Sequence, residues 1–249
     1  LVTGPTGSGK TTTLYGALAE LNTVDRKLIT VEDPVEYRLP GINQVQVNDK
    51  IELNFARVLR AALRQDPDVI LVGEMRDQET AQIGMRAALT GHLVLSTLHT
   101  NDAVSTPIRL MDMGIPPFMV ASSLQMVLAQ RLVRVICETC VSDYQLKPTE
   151  LEWLKFELGA AVTSHSFKHG IGCTQCNGTG YSGRMGVYEM LEMTEMVADA
   201  ANHSDPSHFI KVAQAQMAGE TLRRHAVALV VAGKTTVVEA MRISNQFEN

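Results

Sequence analysis

An α/β fold, a mostly parallel sheet with helices on both faces, is what this sequence of 249 residues predicts, and three observations predict it. Strand-like and helix-like patterns alternate through the first half of the chain, the order that parallel strands joined by right-handed crossovers require. The glycine-rich octet Gly4-Pro5-Thr6-Gly7-Ser8-Gly9-Lys10-Thr11 stands between a strand-like start and a helical pattern. The run Val69-Ile70-Leu71-Val72 is apolar throughout, as a buried parallel strand should be.

The elements follow in order. Lys10 to Leu21 carries apolar residues at Leu14, Ala17, Leu18 and Leu21, a helical period. Leu28-Ile29-Thr30-Val31 reads as a strand whose carboxyl end bears Glu32 and Asp33 before Pro34. Phe55 to Leu63 is amphipathic, with Phe55, Val58, Leu59, Ala62 and Leu63 on one face, and Asp66-Pro67-Asp68 ends it. After the Val69 to Val72 strand, Gln78 to Leu89 fits a helix and Gly91 breaks it. Leu93 to Thr97 then reads as a strand leading to His99. From about Val133 the texture changes to cysteine pairs, a glycine-rich stretch from Gly170 to Gly186, and helical patterns to the end. The expected partition is a nucleotide-binding core at 1–135, a four-cysteine module at 136–186 and a helical region at 187–249. Within these, Glu150 to Leu158, Phe209 to Met217 and Thr221 to Ala232 read as helices. Thr236 and Glu239 would form a capping box for a last one.

With 45% hydrophobic and 20% charged residues the chain suits a folded protein with one substantial core and a smaller second unit. Its longest apolar run, Ala226 to Ala232, is far short of the roughly 20 residues that span a bilayer, so no transmembrane segment is expected. The chain opens at Leu1, with the glycine-rich octet only three residues in. An N-terminally truncated fragment is therefore expected, and no signal peptide is visible. Four cysteines in two pairs suit a reducing compartment and a metal, hence a cytoplasmic protein.

The octet has the spacing of a phosphate-binding loop. Its glycines let backbone N–H groups turn inward, and the following helix N-terminus adds positive potential. Lys10 should reach the β and γ phosphates of ATP, Thr11 should ligate Mg²⁺, and Thr12 closes the nucleotide-binding segment. Hydrolysis needs more: a group that orients water, and others that neutralise developing charge. Glu74, just past the Val69 to Val72 strand, is the first choice for polarising the attacking water. Glu32 and Asp33 occupy the corresponding place on their own strand, where they could hold Mg²⁺ or a water, or merely cap the turn. His99 either senses a γ-phosphate oxygen or serves as a satisfied structural histidine. Arg64, Arg76 and Arg86 lie near these segments and could neutralise phosphate charge, in cis or across a subunit interface, although surface arginine is the default.

Cys137-x2-Cys140, then 32 residues, then Cys173-x2-Cys176 is a paired-knuckle spacing that lets four thiolates meet at a tetrahedral Zn²⁺. Gly172, Gly178 and Gly180 supply the tight turns a knuckle needs. Four unligated thiols or two disulfides are the competing reading.

Four segments together resemble the type II secretion and type IV pilus assembly ATPases. They are Gly4 to Thr13, Ile29 to Glu36, Arg64 to Asp77 and Thr90 to Asn101, and they look like that family's Walker A, Asp box, Walker B and His box in the family's order. The resemblance implies a RecA-like P-loop NTPase core working as a homo-hexameric ring. It implies Glu74 as the catalytic Walker B carboxylate, Glu32 as a second catalytic acid and His99 near the γ-phosphate. It also implies charge-neutralising arginines near the Asp and Walker B boxes. In that family, Mg-ATP turnover drives an inner-membrane platform protein that adds pilin or pseudopilin subunits, so a peripheral place on the cytoplasmic face is implied. The family's N-terminal domains, which help complete the site between subunits, are absent from the sequence. The cysteine module favours extension or secretion over pilus retraction, whose ATPases lack it. Overall resemblance leans toward pilus assembly, the mannose-sensitive haemagglutinin pilus type among them. A RecA-like ATPase that translocates nucleic acid is the competing enzyme. A net charge of −5 without a basic cluster argues against it, and no nucleic-acid partner is expected. A nucleotide-gated scaffold without useful turnover is the third reading.

Overall fold

The computed structural model describes residues 1–203 and 205–244. Ser204 and residues 245–249 of the expected helical region lie outside the described residues. The chain divides into two compact units, the first formed by Leu1–Ala129 with Met190–Ala218, the second by Gln130–Glu189 and the chain from Gly219 onward.

In chain order the elements are β1 (Val2–Thr3), α1 (Lys10–Leu21), β2 (Leu28–Glu32), β3 (Asn43–Gln46), α2 (Phe55–Ala62), β4 (Val69–Val72) and α3 (Gln78–Leu89). They continue as β5 (Leu93–Leu98), α4 (Ser105–Asp112), α5 (Pro117–Ser123), β6 (Met126–Ile136), β7 (Val141–Tyr144), α6 (Pro148–Leu158) and β8 (Phe167–Gly170). The last are β9 (Tyr181–Glu192), α7 (Glu195–Asn202), α8 (Pro206–Met217), α9 (Leu222–Val231) and α10 (Val237–Ser244).

The first unit holds a sheet in the order β3-β2-β4-β5-β1-β6, and every neighbouring pair in it is parallel. The strands of β4 show how the sequence dictates two covered faces. Successive side chains point to opposite sides of a strand. Val69 and Leu71 join Leu14, Leu18 and Leu28 under α1. Ile70 and Val72 join Leu59 of α2 and Ala87 of α3 on the other side. A helix of 12 residues such as α1 is marginal alone in water, so the burial of Leu14 and Leu18 holds it, at roughly 2 kcal/mol for each such side chain. Helix starts are fixed locally: Asn54 Oδ1 accepts from Arg57 N at 2.9 Å, and Asp77 Oδ1 accepts from Thr80 N at 2.8 Å.

In the second unit β7 and β8 pair antiparallel and α6 lies between them in sequence. The capping box expected at α10 forms only in half. Thr236 Oγ1 accepts from Glu239 N at 3.3 Å, but the Glu239 carboxylate turns elsewhere because better donors are at hand. It accepts from Arg134 N at 2.8 Å and from the Arg134 guanidinium at 2.9 Å, with Arg242 on the same two oxygens. Burial opposes the charge of Glu239, yet Arg134 and Arg242 hold its carboxyl below the ordinary carboxylate range. Glu239→Ala should therefore lower unfolding free energy at neutral pH by roughly 2 kcal/mol, the scale of hydrogen bonds to a charged group. The deficit should shrink as acid protonates the native carboxylate, because a depressed folded-state pKa stabilises only while the group stays ionised. Urea titrations at neutral and acidic pH read both; equal deficits at the two would refute the assignment.

Candidate active site

Because the first unit's strands are parallel, their carboxyl ends share one edge. In spatial order along that edge come the ends of β2, β4, β5 and β1, which carry Glu32, Glu74, His99 and the glycine-rich loop. The β4 and β1 strands are two spacings apart, about 10 Å.

The loop from Gly4 to Gly9 joins β1 to α1. Gly7 and Gly9 adopt φ of 79° and 87°, left-handed conformations that L side chains resist. Gly9 caps α1 without a side-chain hydrogen bond. A helix N-terminus of this kind turns its first-turn N–H groups and the positive end of its dipole toward the loop, which is the arrangement that receives an anion. Lys10 Nζ donates to the carbonyls of Gly4 at 2.7 Å and Pro5 at 3.0 Å, closing the loop on itself. Thr6, Thr11 and Thr12 are exposed, while Ser8 is buried.

Neighbouring strands hold the rest in place. Thr3, the last residue of β1, accepts from Thr100 N at 2.9 Å through Oγ1, and that hydroxyl lies 2.9 Å from the Leu98 carbonyl. The segment bearing His99 is thereby stitched to the strand that enters the loop. Thr97 Oγ1 donates to Gly73 O at 2.7 Å, and Met75 N donates to Thr97 O at 3.1 Å, so Glu74 is pinned on both sides. A Cβ on Gly73 would sit 3.2 Å from Val31 O and 3.4 Å from Glu32 Cα, so glycine there lets the ends of β4 and β2 close up.

Glu74 is the centre of a three-residue cluster. One oxygen contacts the Arg76 guanidinium at 2.5 Å and the other lies 3.5 Å from His99 Nε2. Its side chain is 13% exposed against 66% for Arg76 and 51% for His99, so two solvent-facing groups cover a mostly enclosed carboxylate. The hydrogen bond that Arg76 donates to Glu74, followed by the charges of Glu74, Asp33 and Asp49, raises the Arg76 pKa and keeps that side chain cationic.

Glu32 is buried, and its two oxygens are occupied by Tyr15 Oη, Thr30 Oγ1 and, at 3.3 Å, Gln44 Nε2. Asp33 beside it is exposed. Arg64 and Arg86 are not brought to the cluster. Arg64 precedes β4 at the strand end away from Glu74, and Arg86 lies in the last turn of α3. Both are exposed and make no ion pair among the described residues. Tyr15, Thr30, Gln44, Thr3 and Thr97 are the members that sequence reasoning missed. For Thr30 the signal was available: it stands two residues before Glu32 on one strand, hence on the same face.

In the second unit the Sγ atoms of Cys137, Cys140, Cys173 and Cys176 all lie within 4.8 Å of one another. Cys137 and Cys173 are 3.9 Å apart, Cys140 and Cys176 3.9 Å, and Cys173 and Cys176 3.7 Å. A disulfide would need about 2.05 Å. Sulfurs bound at about 2.3 Å to a tetrahedral zinc stand about 3.8 Å apart, so the donor set fits that ion. Gly170 and Gly180 make the approach possible, since a Cβ on Gly170 would fall 2.0 Å from Gly180 O. The N–H groups of Cys173 and Gly180 donate to Cys176 Sγ at 3.3 and 3.2 Å. The Cys173 N–H chiefly, against the opposing effect of burial, holds that thiol down at about 6. Burial pushes Cys140 up to about 12. A dication among four such sulfurs is what makes thiolates of them all.

Residues 1–242 match the family described as Type II/IV secretion system protein. Over 249 residues the chain is 50% identical to "Type II secretion system protein E" of Dickeya dadantii (strain 3937), the match covering 99% of this chain and 48% of that protein. It is 46% identical over 246 residues to "Type IV pilus assembly ATPase PilB" of Myxococcus xanthus (strain DK1622), covering 97% of this chain and 43% of the relative. The chain spans about half the length of the curated relatives it matches. Among solved structures, the pilus retraction motor PilT with bound ADP resembles it at a TM-score of 0.71 and 31% identity, over 97% of this chain and 60% of that one. The Legionella pneumophila ATPase DotB resembles it at 0.69 and 25%, over 98% and 59%. A match from the first residue into the last helix leaves one conclusion: the chain belongs to the Type II/IV secretion system protein family.

Proposed function

We propose that this chain is the ATP-hydrolysing part of a motor that powers assembly of type IV pili or type II secretion pseudopili. The observation that carries the reading is the shared strand edge, where the Gly4 to Thr11 loop, Glu74, Arg76 and His99 stand together. The first-turn amides and Lys10 would hold the triphosphate, and Thr11 would hold the Mg²⁺. Magnesium, when bound, neutralises charge on the β and γ oxygens. Glu74 takes a proton from the attacking water as the water's oxygen bonds to the γ phosphorus and the bond to the β-phosphate oxygen breaks. Arg76, moving from Glu74 to a phosphate oxygen, both frees that carboxylate and offsets the developing charge. His99 contacts the γ-phosphate region and Glu32 is a second acid, one strand beyond Glu74. For Arg64 and Arg86, exposed and remote from Glu74 in one protomer, the reading is charge neutralisation across a subunit interface.

The partners we propose are further copies of the same chain in a hexameric ring and an inner-membrane platform protein, engaged from the cytoplasmic face. Relatives at 50% and 46% identity belong to secretion and to pilus systems alike, so the cargo is given as a class. The four cysteines hold a structural zinc; with four thiolates no position stays open for water. We keep the division into core (1–135), cysteine module (136–186) and helical region as a functional partition.

Binding is tested with Lys10→Ala in the intact protein. Losing a charge-assisted contact should weaken a fluorescent ATP analogue by about tenfold or more, with phosphate release falling in parallel. Wild-type affinity in the variant would overturn the assignment of the loop.

A further inference from the structure

The buried polar group around Glu32 has a feature that packing alone does not require. Tyr15 is almost fully buried among Leu14, Leu18, Leu28, Val69 and Leu71, a setting that a phenylalanine would fill as well. Its hydroxyl nonetheless donates to Glu32 Oε2, the one donor this oxygen has among the described residues. Tyr15 belongs to α1, five residues from Lys10 and about 7.5 Å along the helix. The same hydroxyl accepts from Glu36 N at 3.3 Å and from Gln44 Nε2 at 3.4 Å, and the Tyr37 ring meets the Tyr15 ring edge-on at 4.7 Å. Four segments therefore converge on one oxygen: the helix that follows the phosphate loop, the end of β2, the turn after it, and β3.

We propose that Tyr15 is a positioning residue for Glu32, fixing the direction of its carboxylate relative to the nucleotide loop. The inference rests on Glu32 acting in hydrolysis, as read above. Among the described residues Thr30 and Gln44 hold Oε1 and Tyr15 alone sets Oε2, so loss of the hydroxyl lets the carboxylate rotate while the apolar contacts of the ring persist. Burial, together with the neighbouring Glu32 charge, pushes the Tyr15 hydroxyl up to about 12, so it remains a donor throughout the working range. A carboxylate held by donors on both oxygens is a fixed acceptor, which is what orienting a water or a proton demands.

The experiment is a double-mutant cycle on the intact protein with Tyr15→Phe, Glu32→Gln and the pair, reading kcat and KM for Mg-ATP. We expect Tyr15→Phe to lower kcat by about tenfold with KM within about twofold, and to cause no further loss in the Glu32→Gln background. An unchanged kcat in Tyr15→Phe, beside a depressed one in Glu32→Gln, overturns the positioning role and leaves that of Glu32 standing. Losses that multiply in the double variant also overturn it, since Tyr15 then acts by another route. Full turnover in Glu32→Gln removes the role of Glu32 and this proposal with it. Should Tyr15→Phe fail to fold, Gln44→Met on the half-buried β3 withdraws, from outside the core, one of the two Oε1 donors and the donor to the Tyr15 hydroxyl. The same fall in kcat at constant KM is then expected, and its absence refutes the claim.

Discussion

Glu74→Gln is expected to cut the rate of ATP hydrolysis at least about a hundredfold while nucleotide affinity changes by no more than about threefold. Glutamine keeps the shape of the side chain and an acceptor oxygen for Arg76, but its amide has no basic oxygen to take a proton from water. General-base contributions usually reach about 10² to 10⁴ in rate. The ion pair that is lost involves an arginine 66% exposed, so the variant should fold with nearly unchanged stability. A kcat effect with intact folding and binding isolates the chemical step. Turnover in Glu74→Gln equal to that of the parent would refute the assignment, and a fall traced wholly to weaker nucleotide binding would move Glu74 from chemistry to ground-state recognition.

The other large effect is expected in the second unit. Freshly purified, reduced protein should carry about one zinc per chain by elemental analysis, and Cys176→Ser should lose it. Because the sulfurs that stand 3.7 to 3.9 Å apart come from knuckles on either side of β7, α6 and β8, an ion held by them would close a long excursion of chain. The melting transition of the second unit should fall by about 10 °C or more. Cys176 is the informative choice, as two N–H groups already favour its thiolate. Serine would leave those donors facing a poor ligand. Zinc near zero in the parent protein would remove the metal centre from the account.

How much of this was legible in the sequence depended on whether a feature is local. The helix Lys10–Leu21, the strand Val69–Val72 and the helix Gln78–Leu89 stand where their periodicity puts them, because each combines one apolar stripe or run with a clear stop. The strands β6 and β9 were not legible. In β6, Gln130 and Arg131 interrupt the apolar pattern although both are buried, so the period that signals a strand is broken by residues satisfied only in three dimensions. The glycines of β9 read as turn material. The edge strand β3, Asn-Gln-Val-Gln, has too little apolar character to announce itself. At the site, Glu74 and His99 were visible because both follow strands whose ends converge in a parallel sheet. Tyr15 was hidden as one more member of a helix's buried stripe. Arg64 and Arg86 show the converse: nearness in sequence to a site says little once four strand residues or two helical turns intervene.

The hydroxyls of Thr3, Thr100 and Thr106 add a consequence of their own. Thr3 Oγ1 and Thr100 Oγ1 are 2.6 Å apart, as are Thr100 Oγ1 and Thr106 Oγ1. Each alcohol owns a single proton, so once one of the three chooses which neighbour to face, the choices left to the other two narrow. The row begins at the end of β1, where the chain enters the glycine-rich loop, and finishes on the opening turn of α4. The orientation of one hydroxyl is thereby tied to that of the others, so the strand that enters the glycine-rich loop and the first turn of α4 share one hydrogen-bonded row.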